Sequence, residues 1–403
     1  MLRGCATNGF CKTRKDRPLL PSGLKVLHVA ETVRGGIATY LNELHPHQCA
    51  SFGQGNVHYV IPSDHRSDLV NIADDAVTTF PRDGRSAVGL FHMLSATMRA
   101  VRQLQPDIIH LHSSFAGLVV RPVLWLANRR SRIVYCPHGW AFGRETGRLS
   151  RDVTEFTELA LSKLTHRIVC ISESERADAL RVGIAAERLV LVHNGISKQR
   201  PALDTGAAPW RSEKIRVLFI GRLDRQKGYD LLIKAARALG DTLDVRLIGA
   251  SVVSKFHESD LPANVSMLGW MNRSQIEAEL DQADMVAIPS RWEAFGLVAI
   301  EAMRAAKPII AFRIGALPEI VEDGVTGVLC NEVSPEKLIE GFQRASQLDL
   351  PAVGRAGFER FSRLYNIEQT HRTLTQVYAD ALHTPAHEAG QQTKLQSDFS
   401  NNL

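Results

Sequence analysis

No apolar run in this chain reaches the length that a bilayer core demands, so a membrane-spanning helix is not expected. The opening MLRGCATNGFCKTRKDRPLLPSG is positively charged but has no apolar centre, unlike a secretory leader. Residues 1–22 read as a basic, disordered tail, although a start codon upstream of the native one would leave the same pattern. Cysteine is scarce: six residues, Cys5, Cys11, Cys49, Cys136, Cys170 and Cys330, are scattered without a framework. That argues against a disulfide scaffold and suits free thiols in a reducing cytosol. Cys5 and Cys11 have no His or Cys neighbours with which to bind zinc. Aromatic residues make up only 6% of the chain and do not alternate with basic ones, which argues against a nucleic-acid surface.

What the chain has is length and alternation. Its 403 residues exceed one ordinary core and imply two domains. Hydrophobic residues at 44% and charged residues at 23% are globular values. Residues 1–200 carry 26 Lys/Arg against 17 Asp/Glu, whereas residues 201–403 carry 22 against 26. The basic first half suits an anionic partner or surface; an ordinary solvated surface with a basic tail reads equally well.

Short apolar runs alternate with helical patterns. The spacing predicts strands at 24–31, 56–62, 107–113, 132–139, 167–172 and 189–195, with helices near 37–44, 86–104, 116–129, 151–164 and 173–182. Residues 201–213, rich in Pro, Gly and Ala, lack periodicity and read as a linker. The alternation then restarts, with strands at 215–221, 244–250, 264–270, 285–290 and 308–313 and helices at 228–239, 274–280 and 296–305. Residues 352–382 look helical throughout, and 384–403 read as a polar disordered tail. Such alternation implies parallel sheets. We expect an α/β chain of two doubly wound, Rossmann-like domains, residues 23–200 and 214–360, facing each other across a cleft.

Four motifs sit where strands end. In VRGGIATYLNEL, Gly35 and Gly36 turn a strand into a helix whose first N–H groups suit an anion. The third glycine of a dinucleotide fingerprint is missing, and a plain strand–helix turn fits as well. In LFIGRLDRQKGYDLLIKA, a strand ends at Gly221, and Arg222 and Lys227 then offer two cations to a diphosphate; a solvated loop is the plain alternative. In YCPHGWAFGRE, His138 directly follows a strand and is a candidate hydrogen-bond donor or base. His110 and His112 share one face of their strand, but no third ligand is evident for a metal site.

The last motif, SRWEAFGLVAIEAM, puts Glu293 and Glu301 around a helix start near Gly296. Free N–H groups around Phe295, Gly296 and Leu297 would face the same space. Such carboxylates suit sugar hydroxyls; a glycosidase acid–base pair is the rival, and sequence spacing does not settle the distance. Glu301 is expected to be buried among Ile300, Ala302 and Met303, where an unpaired carboxylate is costly.

In this order the motifs resemble those of retaining glycosyltransferase family 4, which has the GT-B architecture. The likeness covers about residues 24–382, and its most specific part is the Glu-x7-Glu spacing downstream of GRLDRQKG. The resemblance implies a nucleotide-sugar donor held mainly by the second domain and an acceptor, a glycan or a lipid-linked sugar, held mainly by the first. By that likeness, Arg222 and Lys227 bind the diphosphate, assisted by backbone at Phe295, Gly296, Leu297 and Gly36. Glu293 contacts the donor sugar, Glu301 the ribose hydroxyls, and His138 the sugar and the reacting centre. Backbone around Gly269, Trp270 and Met271 touches the base. The helix over 361–382 resembles the one that crosses back to the first domain. No cofactor and no metal are implied.

Arg291-Trp292 departs from the usual pattern. The PHGWAF wording suggests exopolysaccharide or lipopolysaccharide synthesis in the bacterial cytoplasm, with a lipid-linked acceptor at the inner face of an anionic membrane. Two rival readings share the architecture: a non-hydrolysing nucleotide-sugar 2-epimerase, and a non-catalytic nucleotide-sugar-binding partner. The pairing of GRLDRQKG with Glu-x7-Glu argues against the first, and the intact Glu293, Glu301, Arg222, Lys227 and His138 against the second.

Overall fold

The computed structural model describes residues 23–384, apart from 83, 85, 128–129, 144–146, 205–208, 211–212 and 251–260. The tail over 1–22, the residues beyond 384 and part of the 201–213 linker lie outside the described residues, as do Arg144 and Glu145 of the histidine motif.

Strands β1 (Val26–Ala30), β2 (Val57–Pro62), β3 (Val77–Phe80), β4 (Ile108–His112), β5 (Arg132–Cys136), β6 (Arg167–Cys170) and β7 (Leu189–Leu191) form one sheet, in the order β3-β2-β1-β4-β5-β6-β7. Strands β8 (Ile215–Ile220), β9 (Leu243–Ile248), β10 (Val265–Gly269), β11 (Met285–Ile288), β12 (Ile309–Phe312) and β13 (Gly327–Cys330) form a second, in the order β10-β9-β8-β11-β12-β13. Every pairing in both sheets is parallel. All five residues of β1 and of β4 are buried, because helices cover both faces.

Helices α2 (Ala87–Leu104), α3 (Ser114–Ala127), α4 (Arg148–Ser162) and α5 (Glu173–Val182) cover the outer face of the first sheet. Helices α6 (Tyr229–Ala238) and α10 (Pro335–Ala345) do so for the second. A third apolar cluster joins the two halves. It runs from Tyr40 and Leu44 of α1 (Gly36–Phe52) to Ile300 of α8 (Leu297–Arg304) and on to Tyr378 of α12 (Ile367–His383).

Local differences from the sequence reading have physical causes. Helix α1 runs eight residues past Leu44, straight through Pro46. The run over 352–382 is two helices: α11 (Leu350–Leu364) stops, and Asn366 caps α12 by accepting from Gln369 N at 2.9 Å. Strands β3 and β13 were not anticipated; both are four residues long, too short for a clear alternation. The chain crosses between the halves at two adjacent places, where Ile196 bridges Asn366, and α12 then packs on α1 and β5.

Candidate active site

The carboxyl ends of both sheets face one another, and the motif residues gather there. On the second-sheet side, two glycines hold the GRLDRQKG loop down. A Cβ on Gly228 would lie 1.8 Å from Pro289 O, and one on Gly249 would lie 1.8 Å from Gly221 O. Asp224 Oδ1 accepts from Lys227 N at 3.0 Å, which turns the Lys227 side chain to Glu293 Oε2 at 2.5 Å. Ser290 Oγ donates to the same carboxylate oxygen at 3.4 Å. Arg222 is more exposed, and its Nη2 reaches Gln226 Oε1 at 2.6 Å and Asp224 Oδ2 at 3.1 Å.

Arg291 acquires a role here that the motif did not reveal. Its two Nη groups donate to Asp230 Oδ1 and Oδ2, each at 2.7 Å, and Nη1 also donates to Arg225 O. Its backbone N–H donates to Gln226 O at 2.8 Å. A forked, charge-assisted pair of this kind fixes both partners, and it holds the Asp230 carboxyl below its ordinary pKa even though burial pushes the other way. Arg291 therefore clamps the cation loop to the glutamate loop.

Helix α8 begins at Gly296, whose φ of 97° suits glycine. Among the described residues, the N–H groups of Phe295, Gly296 and Leu297 find no acceptor. Free N–H groups at a helix start can take an anion. A Cβ on Gly36, in the first domain, would lie 3.4 Å from Leu297 Cδ1, and Gly35 before it has a φ of 66°. The two helix starts therefore face each other almost in contact. Glu301, one turn into α8, is half-buried rather than fully buried. Its side chain makes no hydrogen bond among the described residues. Burial raises its pKa, while Arg304 and Arg273 pull it down. Gly269, with a φ of 73°, accepts from Gly249 N at 2.8 Å; Trp270 beside it is 81% exposed, and Met271 packs on the shared cluster.

On the first-sheet side, His138 and Gly139 follow β5 with φ values of 51° and 102°. Such a turn needs support. Glu175, which the motifs did not single out, provides it by accepting from Gly139 N and Ile171 N, each at 2.7 Å. Burial raises the Glu175 carboxyl to about 7, against the pull of those two N–H groups. Its signal in the sequence was the Ser172-x-x-Glu175 helix start, where Ser172 Oγ caps the Glu175 N–H. A Cβ on Gly139 would lie 3.0 Å from that of Ala294 across the cleft. A second cross-cleft tie comes from Glu319 on α9 (Leu317–Ile320), which accepts from Glu173 N and Ser174 N at the start of α5, both at 2.8 Å.

Behind His138 lie three more imidazoles. His138 Nε2 is 2.9 Å from His112 Nδ1, His112 Nε2 is 2.9 Å from His28 Nδ1, and His28 Nε2 is 2.8 Å from Gln48 Oε1. His28, His110 and His112 each bring a ring nitrogen within 4.8 Å of the others. The lack of a third ligand for His110 and His112 is thus corrected: His28, paired with His110 in the β1–β4 register, stands beside them. The strands meet only in the fold, so sequence spacing concealed it. His28 Nδ1 and His112 Nε2 already share a hydrogen bond, while His110 Nε2 is buried with no partner among the described residues.

Family models match both halves: "Glycosyltransferase Family 4" over residues 34–200 and "Glycosyl transferases group 1" over 204–352. An uncharacterized 41.2 kDa protein in the cps region of Klebsiella pneumoniae is 32% identical over 326 residues, 79% of this chain and 88% of that protein. The chain belongs to glycosyltransferase family 4. This glycosyltransferase has the GT-B fold. Sucrose-phosphate synthase from Thermosynechococcus elongatus superposes with a TM-score of 0.74 at 20% identity, covering 88% of this chain and 98% of that one. Anabaena Alr3699/HepE, solved in complex with UDP, gives 0.70 at 17% identity, covering 88% and 99%.

Proposed function

We propose that the enzyme moves a sugar, with retention of configuration, from a nucleoside-diphosphate sugar to an acceptor hydroxyl. One observation carries this reading: Lys227 and Glu293 are joined at 2.5 Å beside the unpartnered N–H groups of α8, opposite the Gly35-Gly36 turn. That is a place for a diphosphate next to a place for a sugar. Arg222, Lys227 and the helix starts stabilise the departing nucleoside diphosphate as its charge develops. Glu293 takes a hydroxyl of the donor sugar. Glu301, whose carboxylate makes no hydrogen bond among the described residues, takes the ribose hydroxyls. His138 faces the sugar, and backbone at Gly269, Trp270 and Met271 lies along the base. The positive charge needed for departure comes from side chains and helix ends, so the scheme calls for no metal or cofactor. The UDP held by the Anabaena protein supports a nucleotide donor.

The pathway in this reading is cell-surface polysaccharide or lipopolysaccharide synthesis at the inner face of the cytoplasmic membrane, supported by the relative from a cps region. No described helix is long and apolar enough to cross a membrane. Contact with an anionic lipid surface, where a lipid-linked acceptor would reside, is instead supported by exposed apolar residues on α2, α3 and α4. Phe91, Leu126, Leu149 and Phe156 are among them.

The test is a thermal-shift screen over UDP-, GDP- and ADP-sugars, followed by NMR of the product's anomeric centre. One donor should stabilise the chain, and Arg222→Ala and Glu301→Ala should each abolish the shift. Unchanged donor binding in both variants sinks the site assignment. An inverted product sinks the retaining reading, and a free epimer without transfer points to a 2-epimerase.

A further inference from the structure

The histidines behind the cleft form a line with a direction, and Gln48 sets it. Its amide oxygen faces His28 Nε2 at 2.8 Å while its Nε2 donates to the Tyr378 hydroxyl at 3.3 Å. An amide oxygen only accepts, so His28 carries its proton on Nε2 and leaves Nδ1 bare. His112 Nε2, 2.9 Å from that bare nitrogen, must then donate. His112 Nδ1 is thereby left to accept from His138 Nε2–H, again at 2.9 Å. The last lone pair falls on His138 Nδ1, which has no hydrogen-bond partner among the described residues.

We propose that His112, His28 and Gln48 are positioning residues for His138. They hold it in the Nε2–H tautomer, so that it meets the cleft with a lone pair on Nδ1 and accepts a hydrogen bond from a sugar hydroxyl there. The proposal rests on the reading of His138 as a contact to the donor sugar. The line ends on an amide, which takes no proton, so it orients the ring without carrying charge away, unlike a line ending on a carboxylate. An acceptor nitrogen exists only on a neutral ring. Burial keeps these rings neutral: it draws His28 and His138 down to about 4 and His112 well below its ordinary value. The outer end is anchored in the fold. Gln48 sits on α1 and Tyr378 on α12, so the helix that returns from the second half steadies the amide.

Long-range nitrogen–proton NMR correlation on the full chain, labelled at its histidine rings, reads the tautomers directly and without substrate. The expected result is Nε2–H on His28, His112 and His138. A proton on His138 Nδ1, or rings that average between tautomers, overturns the proposal. So does stoichiometric zinc copurifying with the chain and lost in His28→Ala, because a metal would occupy the nitrogens the line uses. Gln48→Glu retains an acceptor and should keep both the tautomer order and kcat within about threefold. Gln48→Met removes it and should let His138 average, with kcat falling about tenfold and donor KM changing less. Equal kcat in both variants overturns the proposal. Should Gln48→Met fail to fold, Tyr378→Phe, which frees the amide to turn, is read in the same spectrum. A chain with the expected tautomers but no transfer to any acceptor refutes the proposed function alone.

Discussion

Lys227 Nζ lies 2.5 Å from Glu293 Oε2, so the cation that the proposed function gives to the diphosphate is held by the carboxylate that it gives to the sugar. Neither side chain is fully exposed, at 21% for Lys227 and 10% for Glu293, so the pair is only partly screened. In the proposed scheme an arriving diphosphate competes for the ammonium and leaves the carboxylate free to accept from a sugar hydroxyl. Lys227→Ala should lower kcat/KM by about 10²–10³, the scale of losing one aimed charge at a leaving group. Glu293→Gln should leave the affinity for the nucleoside diphosphate unchanged and weaken the nucleotide sugar. Calorimetry with both ligands separates the two roles; equal weakening of both in Glu293→Gln would show that Glu293 does not read the sugar.

The glycines of this site make a second, graded prediction. Gly228 has a φ of 67°, and its Cβ would stand 1.8 Å from the Pro289 carbonyl, a backbone atom that cannot swing aside. Gly228→Ala should therefore destabilise the chain by about 3 kcal/mol or more. At Gly36 no positive φ is involved, and a Cβ would meet only the tip of Leu297 at 3.4 Å. Gly36→Ala should leave stability within about 0.5 kcal/mol of the parent, yet raise donor KM, because its methyl takes up space between the two helix starts. Urea titrations paired with kinetics check both; a Gly36→Ala chain with unchanged KM would remove Gly36 from the donor site.

The strands and the motif turns were legible because each is local: an apolar run, a glycine pair, a cation loop. Glu175 was half legible, as the third residue of a serine-capped helix, but one of the two backbone N–H groups it receives comes from Gly139, 36 residues away. Asp230 is the second residue of an ordinary helix, and nothing near it announces Arg291 as its partner 61 residues later. His28 lies in an apolar strand 84 residues from His112 and meets it only because β1 and β4 are neighbours in the sheet. Glu301 was expected to be buried from its apolar neighbours, but in α8 it is only half-buried and makes no side-chain hydrogen bond among the described residues. Periodicity gives the elements; pairing across the sheet and the cleft needs the fold.

Acid should weaken the protein through its buried histidines. In the unfolded chain His28 and His138 titrate near the ordinary 6.5, while in the fold burial holds both near 4. Between those values the unfolded state binds more protons, so stability is full above about pH 6.5 and is lost as pH falls toward 4, on the order of 3 kcal/mol for each ring. Glu175 works in the opposite sense, because its raised value of about 7 favours the fold below its unfolded value and loses that benefit as pH rises. Burial also draws His110 and His112 well below their ordinary value and adds to the histidine side, so the acid loss should dominate. Urea unfolding at several pH values measures it. His28→Asn should flatten the slope between pH 4 and 6.5, and an unchanged slope would mean that His28 is charged in the fold.

The outer face of the first domain is where an anionic membrane should bind. From Gly84 to Ser150 the sequence carries nine arginines, no lysine and only two acids. On the same helices Phe91 is 66% exposed, Leu126 72%, Leu149 78% and Phe156 73%. Large apolar side chains standing in water among arginines are costly unless something covers them. Aromatic and aliphatic tips that enter the acyl boundary, with guanidinium groups at the phosphates, suit that arrangement. A Phe91→Ser/Phe156→Ser variant and an Arg148→Ser/Arg151→Ser variant should each lose about tenfold in affinity for vesicles rich in phosphatidylglycerol. Neither should change donor KM, since these helices lie on the face of the sheet opposite α1. Raising salt should weaken the wild type and the phenylalanine variant but affect the arginine variant less. Vesicle co-sedimentation at two ionic strengths decides it: binding that survives both variants would assign the lipid contact to another surface.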